Sequence, residues 1–431
     1  KKKMFLFFLL TTVSWGERHV QGHLALSDAG VTVTWLSNTT SSAQFDVLFG
    51  TSPKALTFKT KAASERTYSV RDMCGPPANL SQNFVNPGRI FTAEIDLVHS
   101  SIPQGSIIYY SFGQDGNRSP VFHFSSGLKK PGQTTFIAYG DMGTQFESCK
   151  NSTSEILGHL SDVDFVLHVG DISYAVGHGG KWNAWFDEIQ PIATQVPYHV
   201  CIGNHEYDWP SQNFKPFAFS YGTDGGGECG IPFDRRFSMP GPAFKTPGDS
   251  LTGSTNIYHS RNVGSVHFTL ISSEHNMTQG SEQYIWLEQD LAGVNRSITP
   301  WVVFGQHRPF YGTSVASLLP EYNIMRKVLE PLMVKYGVDL VLFGHVHQYQ
   351  RTCRMVDHKC NDNGPVYNVV GTAGATTQVK FFPKPKWIEA ESYLFGVSKF
   401  RAVNSTHMHA QWFLDKNGTV GDEFWILRSA A

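Results

Sequence analysis

The stretch Thr135-Phe-Ile-Ala-Tyr-Gly-Asp-Met-Gly143 is a short apolar run that stops abruptly on Gly-Asp. It is too short for a helix and apolar at successive positions, as a strand buried on both faces would be. The same grammar recurs downstream. Val163-Asp-Phe-Val-Leu-His-Val169 ends in Gly170-Asp171, Val196-Pro-Tyr-His-Val-Cys-Ile202 in Gly203-Asn204, and Val338-Asp-Leu-Val-Leu-Phe343 in Gly344-His345. Further apolar strands are expected at Ser265 to Ile271, Trp301 to Phe304 and Val366 to Val370, with helical patterns over Glu282 to Val294 and Asn323 to Tyr336. Continuous apolar strands alternating with helices predict an α/β layered domain with buried sheets. Ligand chemistry in such domains gathers where strands end and loops begin.

Working back from this stretch, Ser126-Gly-Leu-Lys-Lys-Pro-Gly-Gln133 reads as a linker. Before it the pattern changes to short alternating strands at Val31 to Trp35, Gln44 to Phe49, Ile90 to Leu97 and Ile107 to Phe112, separated by Gly, Pro, Ser and Asn clusters. That pattern predicts an antiparallel β-sandwich of about 100 residues, with no catalytic constellation in it. At the N-terminus, Lys1 to Lys3 precede an apolar core from Met4 to Leu10 that continues to Val13, then Ser14 and Gly16. This reads as an export signal, about half the ~20 apolar residues that would span a bilayer; a buried N-terminal strand is the alternative. Met4 is the first methionine, which leaves the start of the reading frame open. The expected division is a signal over 1–22, a sandwich domain over 23–127 and an α/β domain over 134–431.

Composition narrows the function. Hydrophobic residues make up 41% and charged residues 16%, enough for a sizeable core. Thirty-five Lys plus Arg against 36 Asp plus Glu, a formal charge of -1, give no electrostatic reason to expect nucleic acid or a membrane surface as partner. Export is supported by sequons at Asn38, Asn79, Asn151, Asn276, Asn295, Asn404 and Asn417; an eighth, Asn117, is weakened by Pro120 after its triplet. Six cysteines allow fifteen full pairings. Cys353 and Cys360 flank a polar turn and are candidates to pair in an oxidising compartment, whereas Cys201 lies in an apolar strand as a buried thiol. The expected location is secreted or secretory.

Five strand ends carry side chains able to bind metal: Asp141, Asp171 with Tyr174, Asn204, His307, and His345 with His347. Singly, each has a plain reading. A Gly-Asp pair after a strand is usually a turn, because Asp bonds its own backbone there. All five in order, each closing an apolar strand, form the convergent set that a site requires. Carboxylate, imidazole, amide and phenolate suit a hard-to-borderline pair of cations better than thiolates would. One shared carboxylate can hold two metals roughly 3.5–4 Å apart, the spacing that clamps both oxygens of an in-line displacement.

The order Gly-Asp-x-Gly, Gly-Asp-x-x-Tyr, Gly-Asn-His-Glu, a strand-borne His, then Gly-His-x-His resembles the purple acid phosphatases of the calcineurin-like metallophosphoesterase superfamily. The resemblance covers nearly the whole chain and is strongest to the long plant-type enzymes linked to nucleotide pyrophosphatase/phosphodiesterase activity. It is supported by Arg71-Asp-Met-Cys-Gly-Pro-Pro-Ala78, Gly225-Gly-Gly-Glu-Cys-Gly230, Gly264 to His275 and His307-Arg-Pro-Phe-Tyr311. It implies a fibronectin-III-like N-terminal sandwich, an α/β layered metallophosphoesterase domain (a β-sandwich flanked by helices) and a binuclear centre. Asp141, Asp171, Tyr174 and His347 would hold Fe(III). Asp171 would bridge to a divalent ion (Zn, Mn or Fe) held by Asn204, His307 and His345. A phenolate at Tyr174 gives such enzymes their colour; related two-metal phosphoesterases have His there.

By the same resemblance, His205 is the catalytic, phosphate-contacting histidine, with Asn204 also at the substrate; the alternative is that His205 only orients Asn204, and Glu206 reads as a support rather than a catalytic group. The expected reaction is acid phosphatase hydrolysis of phosphate monoesters by a metal-activated hydroxide. Alternatives are a nucleotide pyrophosphatase/phosphodiesterase on the same site, or an inactive binding glycoprotein. The partner is a small phosphate ester or nucleotide. Two departures stand out: Gln306 replaces the Gly usual before the strand-borne His, and Tyr311 to Ser317 carries none of the histidines some plant enzymes place there. His168, His199, His267 and His275 lie in or beside strands and are expected to be satisfied within the core. Specificity is expected from loops such as Asp208 to Phe219 and Thr252 to Tyr258.

Overall fold

A computed structural model describes residues 19–144, 147–210, 212, 223–313, 320–377, 383–415 and 417–428. Most of the expected leader, residues 1–18, lies outside them. Strands His19–Leu26, Gly30–Ser37, Arg89–Asp96 and Ser64–Arg66 form one antiparallel sheet. Phe58–Lys61, Asp46–Gly50, Ile107–Gln114, Asn117–Arg118 and Phe122–Ser125 form a second. Alternate residues point inward, so Val31, Val33, Trp35, Phe91 and Ile95 share a core with Val47, Phe49, Ile108, Tyr110 and Phe112. His19 to Gly22, given to the leader on sequence, belong to the first strand, where His19 pairs with Ser37 and Val20 with Leu36.

The second domain is built on two facing sheets. In the first, Thr134–Tyr139, Phe165–Val169 and Tyr198–Cys201 run parallel. Gly396–Ala402, His407–Leu414 and Val420–Leu427 complete this sheet antiparallel. In the second, Val266–Leu270, Trp301–Gln306, Leu340–Phe343 and Val366–Val370 are parallel, with His259–Val263 at one edge and Tyr349–Val356 beyond the other. Phe136, Ala138, Leu167 and Val169 pack between the sheets against Phe268, Leu270, Val303 and Leu342. Ile137, Tyr139 and Val166 point the other way, into a layer holding Trp182, Trp185 and Ile189 of helix Gly180–Ala193. Burial on both faces is why these strands read as unbroken apolar runs. Each such large side chain contributes roughly 1.5–3 kcal/mol.

Helices Glu282–Gly293 and Pro320–Lys335 lie where the periodicity placed them. Ser281 caps the first by accepting from Tyr284 N. Among the described residues, no helix is long and apolar enough to cross a membrane. Cys353 pairs with Cys360 as expected, and Cys201 is a buried thiol, as is Cys149. Cys74 pairs with Cys229, a bridge across 155 residues that joins the two domains.

Candidate metal centre

Parallel strands end on the same side of a sheet, so the loops after them meet. Asp141 follows Thr134–Tyr139, Asp171 follows Phe165–Val169, Asn204 follows Tyr198–Cys201, His307 follows Trp301–Gln306, and His345 follows Leu340–Phe343. Asp141, Asp171, Tyr174 and His345 take left-handed backbone angles, with φ of 61°, 50°, 48° and 67°. Strain of this kind, about 1–3 kcal/mol per residue, persists only where surrounding structure enforces it. The glycines before the ligands have a further use. A Cβ on Gly344 would stand 2.6 Å from Asp141 Oδ2, and one on Gly203 would strike the Asp171 carboxylate. Each therefore leaves space for a ligand borne on another strand.

The chain brings all seven expected metal ligands together. Tyr174 Oη lies 2.8 Å from His347 Nε2, 3.1 Å from Asp141 Oδ1 and 3.2 Å from Asp171 Oδ2. Beside it, Asn204 Oδ1 is 3.0 Å from His307 Nε2 and 2.8 Å from His345 Nδ1, while His307 Nε2 is 3.1 Å from Asp171 Oδ1. Ligand atoms of Asp141, Asp171 and His347 lie within 4.8 Å of one another, as do those of Asp171, His307 and His345, so Asp171 is common to both groups. His205, with its side chain 24% exposed, lies at the mouth with its ring centroid 4.3 Å from that of Tyr174.

Electrostatics test whether these groups suit cations. Burial pushes the His307 imidazole down, but Asp171 and Asp141 pull it up to about 9. His347 is likewise raised against burial, by Asp141 and then Asp171. The buried carboxylates thus draw positive charge into the pocket, and metal ions supply it at the same nitrogens by displacing protons. Burial, then Asp141 and Asp171, hold Tyr174 well above the usual phenol range, so its ionisation there calls for a highly charged cation. Burial and the nearby Arg308 keep His345 well below the usual range and so neutral. The donor set fits a pair of cations, one of them suited to a phenolate.

Supporting contacts fix these groups. His307 Nδ1 meets the Val169 carbonyl at 2.9 Å and His347 Nδ1 meets that of Thr376, which turns each Nε2 into the pocket. Glu206, whose carboxyl burial pushes up to about 8, accepts from Ile172 N at 2.8 Å and Gly203 N at 3.0 Å, tying two ligand loops together. Gln306 is buried and donates to the Arg308 carbonyl at 2.6 Å, bracing the turn after His307. The sequence reading missed Asp224, Glu274 and Arg308. Arg308 pairs with Glu274 at 2.8 Å and reaches His345 Nε2 at 3.2 Å. The Arg directly after His307, in His307-Arg-Pro-Phe-Tyr311, was the available signal. His168, His199, His267 and His275 have partners elsewhere in the interior. Most of the Asp208 to Phe219 loop, and the Tyr311 to Ser317 loop from 314, lie outside the described residues.

The chain matches the family described as calcineurin-like phosphoesterase over residues 134–349, and iron/zinc purple acid phosphatase-like protein C over 364–423. It is 38% identical over 84% of its length to an Arabidopsis thaliana protein named "Probable inactive purple acid phosphatase 9", of which it spans 60%. It is 30% identical to a Hordeum vulgare nucleotide pyrophosphatase/phosphodiesterase, over 69% of this chain and 85% of that one. The solved purple acid phosphatase PPD1 from Lupinus luteus seeds superposes with a TM-score of 0.84 at 28% identity, over 96% of this chain and 75% of that one.

Proposed function

Because the chain belongs to the calcineurin-like phosphoesterases, and among them to the purple acid phosphatases, we propose that it is an acid phosphatase hydrolysing phosphate monoesters at an Fe(III)–M(II) pair. The observation that carries this reading is the convergence of six ligand-type side chains around the shared Asp171. Asp141, Asp171, Tyr174 and His347 would hold the ferric ion, and Asp171, Asn204, His307 and His345 the zinc, manganese or iron(II). Bound cations of this kind activate water as a nucleophile in mildly acidic solution and offset the charge on phosphate.

The remaining work falls to side chains. His205 stands at the open side of the pocket, where its ring can donate a hydrogen bond to a phosphate oxygen or a proton to the leaving oxygen. Asn204 lines the same approach. Glu206 keeps the Asp171 and Asn204 loops in register, so both ligands stay placed as substrate enters. In this reading the sandwich, expected over residues 23–127 and begun by the strand His19–Leu26, is a non-catalytic module, and 134–431 carry the chemistry. The sequons and two disulfides fit an exported chain.

A second reading, nucleotide pyrophosphatase/phosphodiesterase activity at the same centre, is favoured by the barley relative's name. Inactivity, the reading attached to the Arabidopsis relative's name, is opposed by the complete ligand set. The deciding experiment loads protein secreted from a eukaryotic host with metal and compares turnover of p-nitrophenyl phosphate and bis(p-nitrophenyl) phosphate at mildly acidic pH. Preference for the monoester supports the proposal and preference for the diester replaces it with the second reading. Two bound metals with turnover of neither ester would leave an inactive protein.

A further inference from the structure

Asn204 is an amide, so its two ends differ: Oδ1 can ligate a cation and Nδ2 cannot. Oδ1 faces His307 and His345, while Nδ2 donates to Asp224 Oδ2 at 3.1 Å. A carboxylate only accepts. Reversing the amide would set Oδ1 against Asp224 and turn Nδ2 toward the imidazoles.

The loop that follows Asp224 is held from outside the domain. Cys74 N donates to the Gly227 carbonyl at 2.9 Å and Ala78 N to the Gly226 carbonyl at 3.0 Å; the Cys74–Cys229 bridge closes the same junction. On its other side the loop meets the chain that follows Tyr174, where Gly177 N donates to Glu228 Oε1 at 3.2 Å. A Cβ on Gly226 would strike the Val176 backbone and one on Gly227 the Gly75 backbone, so three segments interlock backbone against backbone. Gly225 N also donates to the Asp208 carbonyl at 3.1 Å, four residues past Asn204. The metal centre itself leaves segments 71–78 and 225–230 without a role; this clasp gives them one.

We propose that Asp224 is the positioning residue that orients the Asn204 amide for cation binding, and that the clasp between Cys74–Ala78 and Gly225–Cys229 holds it in place. The inference rests on the two-cation reading above. It is selective: the position shared by Asn204, His307 and His345 depends on Asp224, and the position of Asp141, Tyr174 and His347 does not.

The test titrates metal-loaded protein with dipicolinate and counts the cations retained per chain by mass spectrometry. Wild type, Asp224→Ala and Asp224→Asn are compared, with melting curves to confirm folding. The alanine variant is expected to release one of its two cations at roughly 10–100-fold lower chelator and keep the other as wild type does. The asparagine variant, which still offers an acceptor oxygen, is expected to fall between, and it carries the test if the alanine variant does not fold. Variants that retain both cations as wild type does, or lose both in parallel, would overturn the proposal. Wild type that binds no cation pair would overturn the two-cation reading, and this inference with it.

Discussion

The Tyr174 phenol oxygen lies 2.8 Å from His347 Nε2, although 173 residues separate them. The strand ends bearing Asp141 and Asp171 meet the same phenol at 3.1 and 3.2 Å. A phenol buried against two carboxylates resists ionisation unless a strong cation sits among them.

From this contact comes the first prediction. Protein loaded with iron and a divalent metal is expected to show a broad visible absorption band, and Tyr174→Phe to abolish it while iron remains bound through Asp141, Asp171 and His347. Absorption spectra with metal counts on both proteins check it. A band that survives the substitution would remove Tyr174 from the iron.

Glu228 carries a pH dependence. Its carboxylate accepts from Trp182 Nε1 at 2.9 Å and Gly177 N at 3.2 Å, and burial pushes its pKa from 4.5 to about 7. A folded-state pKa above the unfolded value means the folded chain holds the proton more tightly. That contribution is complete below about 4.5 and is lost as pH rises through about 7. The melting-temperature difference between wild type and Glu228→Gln, measured from pH 4.5 to 8, is therefore expected to move against wild type as pH rises. A difference constant across that range would rule this out.

The disulfides are expected to contribute unequally. On the chain-entropy account, a bridge across 155 residues contributes about 5 kcal/mol and one across 7 about 2 kcal/mol. Urea unfolding should therefore show the larger fall in midpoint for Cys74→Ser than for Cys353→Ser. The reverse order would mean that native contacts, rather than loop closure, dominate.

Glycan occupancy should follow local geometry. Asn276, Asn295, Asn404 and Asn417 are exposed, and each Oδ1 accepts from the backbone N–H two residues on. Asn38 and Asn79 are exposed as well, whereas Asn151 is half-buried in helix Glu147–His159. Peptide mapping of protein from a eukaryotic host, before and after enzymatic deglycosylation, is expected to show higher occupancy at the four turn sequons than at Asn151.

The strands of the two sheets that are buried on both faces were legible because burial on two sides leaves an unbroken apolar run. Gly396–Ala402, His407–Leu414 and Val420–Leu427 escaped notice. The outermost of them is largely exposed, so it carries polar residues such as Asp422 and Glu423 among apolar ones. Helix Gly180–Ala193 is apolar on the side that meets the sheet, but an internal Pro191 blurs its helical pattern. The metal ligands were legible because each closes a strand, and a strand end is a local event.

The sequence by itself determined which side chains could ligate metal, the order in which strands deliver them, and the α/β class. Those properties reside in residue type and short-range periodicity. Only the tertiary structure decided that Asp224 faces the Asn204 amide and that Cys74 pairs with Cys229. These are contacts between segments 20 to 155 residues apart. Their partners are chosen by sheet order and loop packing, and no local pattern in the chain encodes that choice.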